Sequence, residues 1–217
     1  MLFNSYLTYI APGSILVPLL LLLFRYKTAT VTLKILFWYL IVAALTNLAA
    51  NILAGRNQSN LWLLHVFTII ETALLLFFFY KLLPEGRIKK ALPVLMIVFP
   101  LYGIVNLLVF NAGSRFNTYP RSLEALLFII LSLYYWFPHS SEEAQYHSWS
   151  HNIYNWIISG IILYFASSFF LFLFSNFLLV HINSDTVNTI WNWAWGIHAT
   201  LVMSMYLLFA IGISKCR

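Results

Sequence analysis

Among the ionisable side chains inside long apolar runs of this 217-residue chain are His65, Glu71, Glu124 and His198. Carboxylates and imidazoles move protons, attract cations and anchor polar ligands. In hydrocarbon each is costly unless it finds a partner or a wet cavity, so each is a candidate for function. Glu71 stands near the centre of Leu61–Leu83, LWLLHVFTIIETALLLFFFYKLL. On a helix His65, Thr68 and Thr72 fall at i, i+3 and i+7 and share a stripe, with Glu71 beside it, three residues after Thr68. Asn47 and Asn51 share a face at i, i+4. Trp191, Trp195 and His198 recur at i, i+4 and i+7, and Ser168 and Ser175 share a face with Asn176 beside it. Asn106, Arg121 and Glu124 complete the polar set.

The elements that must hold these groups are membrane helices. Leu61–Leu83 has about 23 residues, which at ~1.5 Å each reach ~34 Å, against a hydrocarbon core of ~30 Å. The whole chain is 62% hydrophobic and 8% charged, with a mean hydropathy of +0.84, more apolar surface than a soluble domain of this size can bury. Seven spans are expected, at about 6–24, 31–53, 61–83, 91–110, 120–137, 153–180 and 187–213, forming one all-α integral membrane domain. Pro12-Gly13 and Pro18 are expected bends in the first span. Pro93 is expected in the first turn of the fourth and Pro100 as its kink. The N-terminus has no basic leader and no small-residue cleavage site, so it reads as a retained span.

The net charge of +6 does not suggest nucleic acid as a partner, because the basic residues fall in short loops between apolar spans, a pattern that reads as topology. Nine basic residues (Arg25, Lys27, Lys34, Lys81, Arg87, Lys89, Lys90, Lys215 and Arg217) fall on one side of the seven-span arrangement. Three (Arg56, Arg115 and Arg121) fall on the other. The positive-inside rule then places the N-terminus outside and the C-terminus in the cytoplasm of a bacterial inner membrane. The polar residues collect in the outer half, and the inner halves are more uniformly apolar.

This pattern predicts an outward-facing ligand pocket built from His65, Glu71, Glu124 and His198, with Asn47, Asn51 and Trp195 as further lining residues. Helix directions alternate, so Glu71 and His198 both lie about ten residues from the outer surface, ~15 Å deep, and are expected to form the pocket floor. The bland alternative is that these groups bond helix to helix, as Asn, Ser and Thr often do in membranes.

The inner loop PHSSEEAQYHSWSH places Glu143, His147 and His151 at four-residue steps, but the HExxH glutamate is missing and no metal site is expected there. A single cysteine, Cys216, rules out an internal disulfide. No mid-helix lysine for a retinal, glycine-rich phosphate loop, Ser-His-Asp order or aspartate pair is present, and no cofactor is indicated.

The segment Asn155-Trp-Ile-Ile-Ser-Gly-Ile-Ile-Leu-Tyr-Phe-Ala-Ser-Ser-Phe-Phe-Leu-Phe-Leu-Phe-Ser-Asn176, followed by Trp195-Gly-Ile-His198, resembles poorly characterised seven-helix Bacteroidota membrane proteins. Some of these look like the membrane regions of sensor histidine kinases or their neighbours. The resemblance implies signalling through a cytoplasmic partner and carries over no catalytic residue. No kinase or dimerisation helix follows Lys215-Cys216-Arg217. The expected function is therefore a receptor-like or sensory protein that binds a small or lipid-like ligand and passes a helix shift to that partner. The alternative is a membrane-embedded lipid-modifying enzyme using Glu71, Glu124 and His198 as acid and base. A small transporter is a third possibility, disfavoured by the lack of internal duplication.

Overall fold

The computed structural model describes residues 6–109, 117–137, 149–180 and 185–215. All regular structure among them is helical. A π-helical turn at Tyr6–Ile10 and a short helix at Ala11–Gly13 lead into α1 (Leu16–Arg25). There follow α2 (Val31–Gly55), α3 (Leu61–Leu82), α4 (Arg87–Val109) and α5 (Thr118–Trp136). A 3₁₀ turn at Trp149–His151 precedes α6 (Ile153–Val180) and α7 (Asp185–Ser214).

Six stretches are long and apolar enough to cross a bilayer: Tyr6–Arg25, Val31–Gly55, Leu61–Leu82, Arg87–Val109, Ile153–Phe177 and Asp185–Ser214. Together they mark a multi-pass membrane protein. The exposed side chains are those hydrocarbon would wet. On α4, Val94, Ile97, Val98, Leu101, Val105 and Leu108 are all exposed along one helical stripe. α5 is not among the six. It has 19 residues, and its first turns hold Thr118, Arg121, Ser122 and Glu124. These polar side chains are buried, so the segment's low hydropathy marks protein-facing surface.

The chain divides into two compact units, Leu22–Glu124 and Met1–Leu21 with Ala125–Arg217. In the first, α2 packs on α3 and α3 on α4. Thr30 caps α2, its Oγ1 accepting from the Leu33 N–H at 3.3 Å. At the other end Asn57 takes the left-handed conformation (φ 56°). Its N–H donates to the Ala54 carbonyl at 3.0 Å, and the Gln58 N–H donates to Leu53 at 2.9 Å. That is a Schellman closure, with asparagine in the place usually taken by glycine. Gly55 lies inside the helix instead, two residues beyond the expected end at 53.

The buried stripe of α3 changes character along its length. His65, Thr68, Glu71 and Thr72 come first, then Leu75, Leu76, Phe78 and Phe79. α4 begins at Arg87, earlier than expected, with Lys89 in its first turn paired to Glu85 at 2.8 Å. Pro93 therefore sits in the second turn, not the first. Gly103 meets α3 closely: a Cβ there would lie 2.7 Å from Ile69 Cγ1.

In the second unit α6 and α7 pack along each other, and the short Ala11–Gly13 helix packs on α7. The break in the first span falls at Ser14, whose hydroxyl donates to the Ala11 carbonyl at 2.6 Å, while Pro18 sits in the opening turn of α1. Two glycines allow α6 and α7 to approach. A Cβ on Gly160 would lie 2.8 Å from the Phe209 ring, and one on Gly212 would lie 2.8 Å from the Ile153 carbonyl oxygen. The start of α6 and the end of α7 are tied together at the 3₁₀ turn. Lys215 Nζ and Trp156 Nε1 both donate to the Ser150 carbonyl, at 2.7 and 3.0 Å, and Lys215 lies over the Trp156 ring. The described residues thus give the all-α architecture and six apolar spans.

Candidate functional site

Helix periodicity places Thr68, Glu71 and Thr72 on the buried side of α3, and the first turns of α5 bring a second set of polar groups to them. Arg121 Nη1 donates to Glu71 Oε2 and, at 2.6 Å, to Glu124 Oε2. The remaining oxygen of each carboxylate is also bonded. Tyr39 Oη on α2 donates to Glu71 Oε1 at 3.2 Å, and Thr72 Oγ1 donates to Glu124 Oε1 at 2.6 Å. Glu71 and Glu124 are 0% exposed and Arg121 is 5% exposed. One face of the guanidinium is covered by the Phe67 ring, 5.4 Å from its centroid.

The α3 residues one turn earlier continue the network. Asn117 Nδ2 donates to Thr68 Oγ1 at 2.9 Å, and the Thr68 hydroxyl donates to the Leu64 carbonyl at 2.8 Å. Asn117 Oδ1 is buried and has no partner among the described residues. His65 is buried on the same stripe, a turn before Thr68.

The arrangement holds two carboxylates on one cation. If both are ionised the formal sum over the three groups is one negative charge. Paired buried charges recover their desolvation cost only when geometry and hydrogen bonding are good, and here each of the four carboxylate oxygens has a donor.

His198 has its surroundings in the other unit. It lies on α7 among the rings of Tyr164, Phe172 and Trp195, with centroids 5.6, 5.7 and 5.6 Å away. Ser168 Oγ donates to the Tyr164 carbonyl at 2.6 Å, and its other contact is the His198 Nδ1 at 3.4 Å.

Of the residues expected to line a pocket, the structure brings Glu71 and Glu124 together, with His65 buried on the same stripe. Asn47 is half-buried and Asn51 exposed on α2. His198 and Trp195 are neighbours of each other. Glu71 and His198 belong to different units, and each has partners within its own. Glu143 and His147 lie outside the described residues, as do His139, Glu142 and Cys216. His151 is exposed in the 3₁₀ turn. Among the described residues no group of three metal-binding side chains assembles.

Sequence reasoning missed Tyr39 and Asn117. Tyr39 had a signal, since it precedes Ala43 and Asn47 at four-residue steps on one face of α2. Asn117 offered none, because it stands in a polar turn ahead of the helix. A scan of protein-family models gives no match to this chain, and neither the curated proteins nor the solved structures give one.

Proposed function

We propose that this protein is a receptor-like or sensory membrane protein of seven spans, the seventh being α5. Its N-terminus is outside and its C-terminus in the cytoplasm of a bacterial inner membrane. Its ligand site is the Glu71–Arg121–Glu124 cluster, with Asn117, Thr68 and His65 toward the outer mouth. The ligand is a small molecule bearing a positive charge or several hydrogen-bond donors, and binding shifts α3 against α5 to signal to a cytoplasmic partner. One observation carries the reading. Two fully buried carboxylates share a single guanidinium, and next to Thr68, one turn earlier on α3, Asn117 Oδ1 is buried without a partner among the described residues.

The test of the receptor reading is aqueous access from outside. In a Cys216→Ser background, Thr68→Cys should react in intact cells with a positively charged, membrane-impermeant methanethiosulfonate. It should react far more slowly from the cytoplasmic face of inverted vesicles. If Thr68→Cys stays unmodified from both faces while an Arg56→Cys control labels, the cluster is helix-to-helix glue and the receptor reading fails.

A further inference from the structure

The turn between α3 and α4 carries a second set of charges, away from the Glu71–Arg121–Glu124 cluster. Residues 81–90, KLLPEGRIKK, hold four cations, Lys81, Arg87, Lys89 and Lys90, against one carboxylate, Glu85. That carboxylate is taken by Lys89 at 2.8 Å. Lys81, Arg87 and Lys90 are exposed, and among the described residues their side-chain nitrogens have no hydrogen bond or ion pair. α3 and α4 pack on each other within one unit, so these three unpaired cations stand together at one end of a helical hairpin. Arg87 and Lys90 fall at i, i+3 and share a face of α4.

The neighbouring rings fix the depth of this charge. α3 and α4 are both long and apolar enough to cross a bilayer. Lys81 is the penultimate residue of α3 and Arg87 the first of α4, so they stand where the two spans leave hydrocarbon. Lys81 Nζ lies 5.4 Å from the Phe77 ring centroid and 5.4 Å from that of Tyr80, and Lys89 Nζ lies 5.6 Å from the Tyr80 centroid. Phe77 is itself 38% exposed, on a surface that lipid wets. The Lys81 ammonium is therefore held against the lipid-facing side of the hairpin, at the level of headgroup phosphates.

A partner for this patch must be anionic and must lie in the interfacial layer. A phospholipid headgroup meets both conditions, and its phosphate oxygens accept hydrogen bonds from lysine and arginine. A zwitterionic headgroup would bring its own cation to three others, so net negative charge is selected. An acidic protein segment meets the charge condition but approaches through water, whereas Lys81 lies along a lipid-facing ring.

We propose that the α3–α4 turn is a binding site for an anionic phospholipid headgroup, its phosphate held by Lys81, Arg87 and Lys90.

The test uses the full chain in nanodiscs that contain a fixed fraction of phosphatidylglycerol carrying a diazirine on its headgroup. On illumination in a phosphatidylcholine or phosphatidylethanolamine host, mass spectrometry should find the label concentrated in residues 77–90. A host of unlabelled phosphatidylglycerol should reduce that label about tenfold or more, and excess inorganic phosphate should not. Each Lys or Arg beside an anionic headgroup strengthens the attraction about fivefold. Lys81→Gln, Arg87→Gln and Lys90→Gln combined should therefore also cost tenfold or more, while Lys27→Gln, Lys34→Gln and Arg56→Gln combined should change labelling less than about threefold. Label spread evenly over all the basic loops, or unchanged in the phosphatidylglycerol host, overturns the proposal. So do equal losses in the two triple variants, and so does displacement by inorganic phosphate, which marks a site for soluble anions. No label at 77–90 also overturns it and leaves the patch to an acidic protein partner. The comparison of hosts in wild-type protein decides the matter even if a variant does not fold.

Discussion

Arg121 donates to Glu71 and Glu124 from the same Nη1, which fastens the centre of α3 to the opening turns of α5. Each acid then has one oxygen on the arginine and one on a hydroxyl, from Tyr39 or Thr72. The cluster behaves as one object, and its members should not respond to mutation independently.

Arg121→Gln strands two buried carboxylates and should destabilise the protein by about 3–5 kcal/mol, the usual consequence of removing one partner of a buried ion pair. Glu71→Gln keeps an acceptor for Tyr39, leaves Glu124 paired with Arg121 and should cost clearly less. Combining the two should show a coupling of about 1–3 kcal/mol in denaturant unfolding in detergent. Additive effects would mean that the two side chains do not share a network.

The glycines predict a contrast. Gly212→Leu must displace the α6 backbone at Ile153, and Gly160→Leu must displace the Phe209 ring and the Met205 carbonyl. Each should lower stability by about 1–3 kcal/mol. Gly55→Ala meets nothing within 4 Å and should be neutral or slightly stabilising, since alanine is the better helix former. Thermal unfolding of the three variants side by side checks this, and equal losses at all three positions would contradict the close approach of α6 and α7.

Topology separates seven spans from six. A reporter fused after Arg217 should be active in the cytoplasm, and one inserted at Gly113 should be active outside. Activity of both on the same side would remove α5 from the set of spans and with it the proposed orientation.

The helices were legible because membrane spans announce themselves as apolar runs of the required length, and α3 matches its expected bounds to within a residue. The burial of Glu71 was legible for the same reason: an acid in such a run has to face inward. Its partners were not. Depth arithmetic ranks residues along the membrane normal and is silent on lateral order, so it offered His198 to Glu71 as readily as anything else. The partners it has, Arg121 and Tyr39, are reached by long side chains on other helices. Tyr39 was hidden in an apolar run in which tyrosine passes for packing or an interfacial anchor. Arg121 was visible as an i, i+3 neighbour of Glu124, but its reach to Glu71 depends on how α5 is rotated. The helix contacts at Gly103, Gly160 and Gly212 were also unreadable. Each is a single glycine without a second at four residues, so no GxxxG spacing marks it.

The central claim is that the charges at Glu71, Arg121 and Glu124 serve a ligand and not the fold. Replacing all three at once tests it, with Glu71→Gln, Arg121→Met and Glu124→Gln in one chain. The glutamine oxygens keep acceptors for Tyr39 and Thr72, and no charge is left unpaired. Replacing a buried ion cluster by well-packed uncharged side chains of similar volume is often neutral or stabilising by about 1–4 kcal/mol. Denaturant unfolding in detergent should therefore find the triple variant at least as stable as the wild type. A triple variant less stable by about 3 kcal/mol or more would show that the cluster is there to hold the helices together, and would contradict the account.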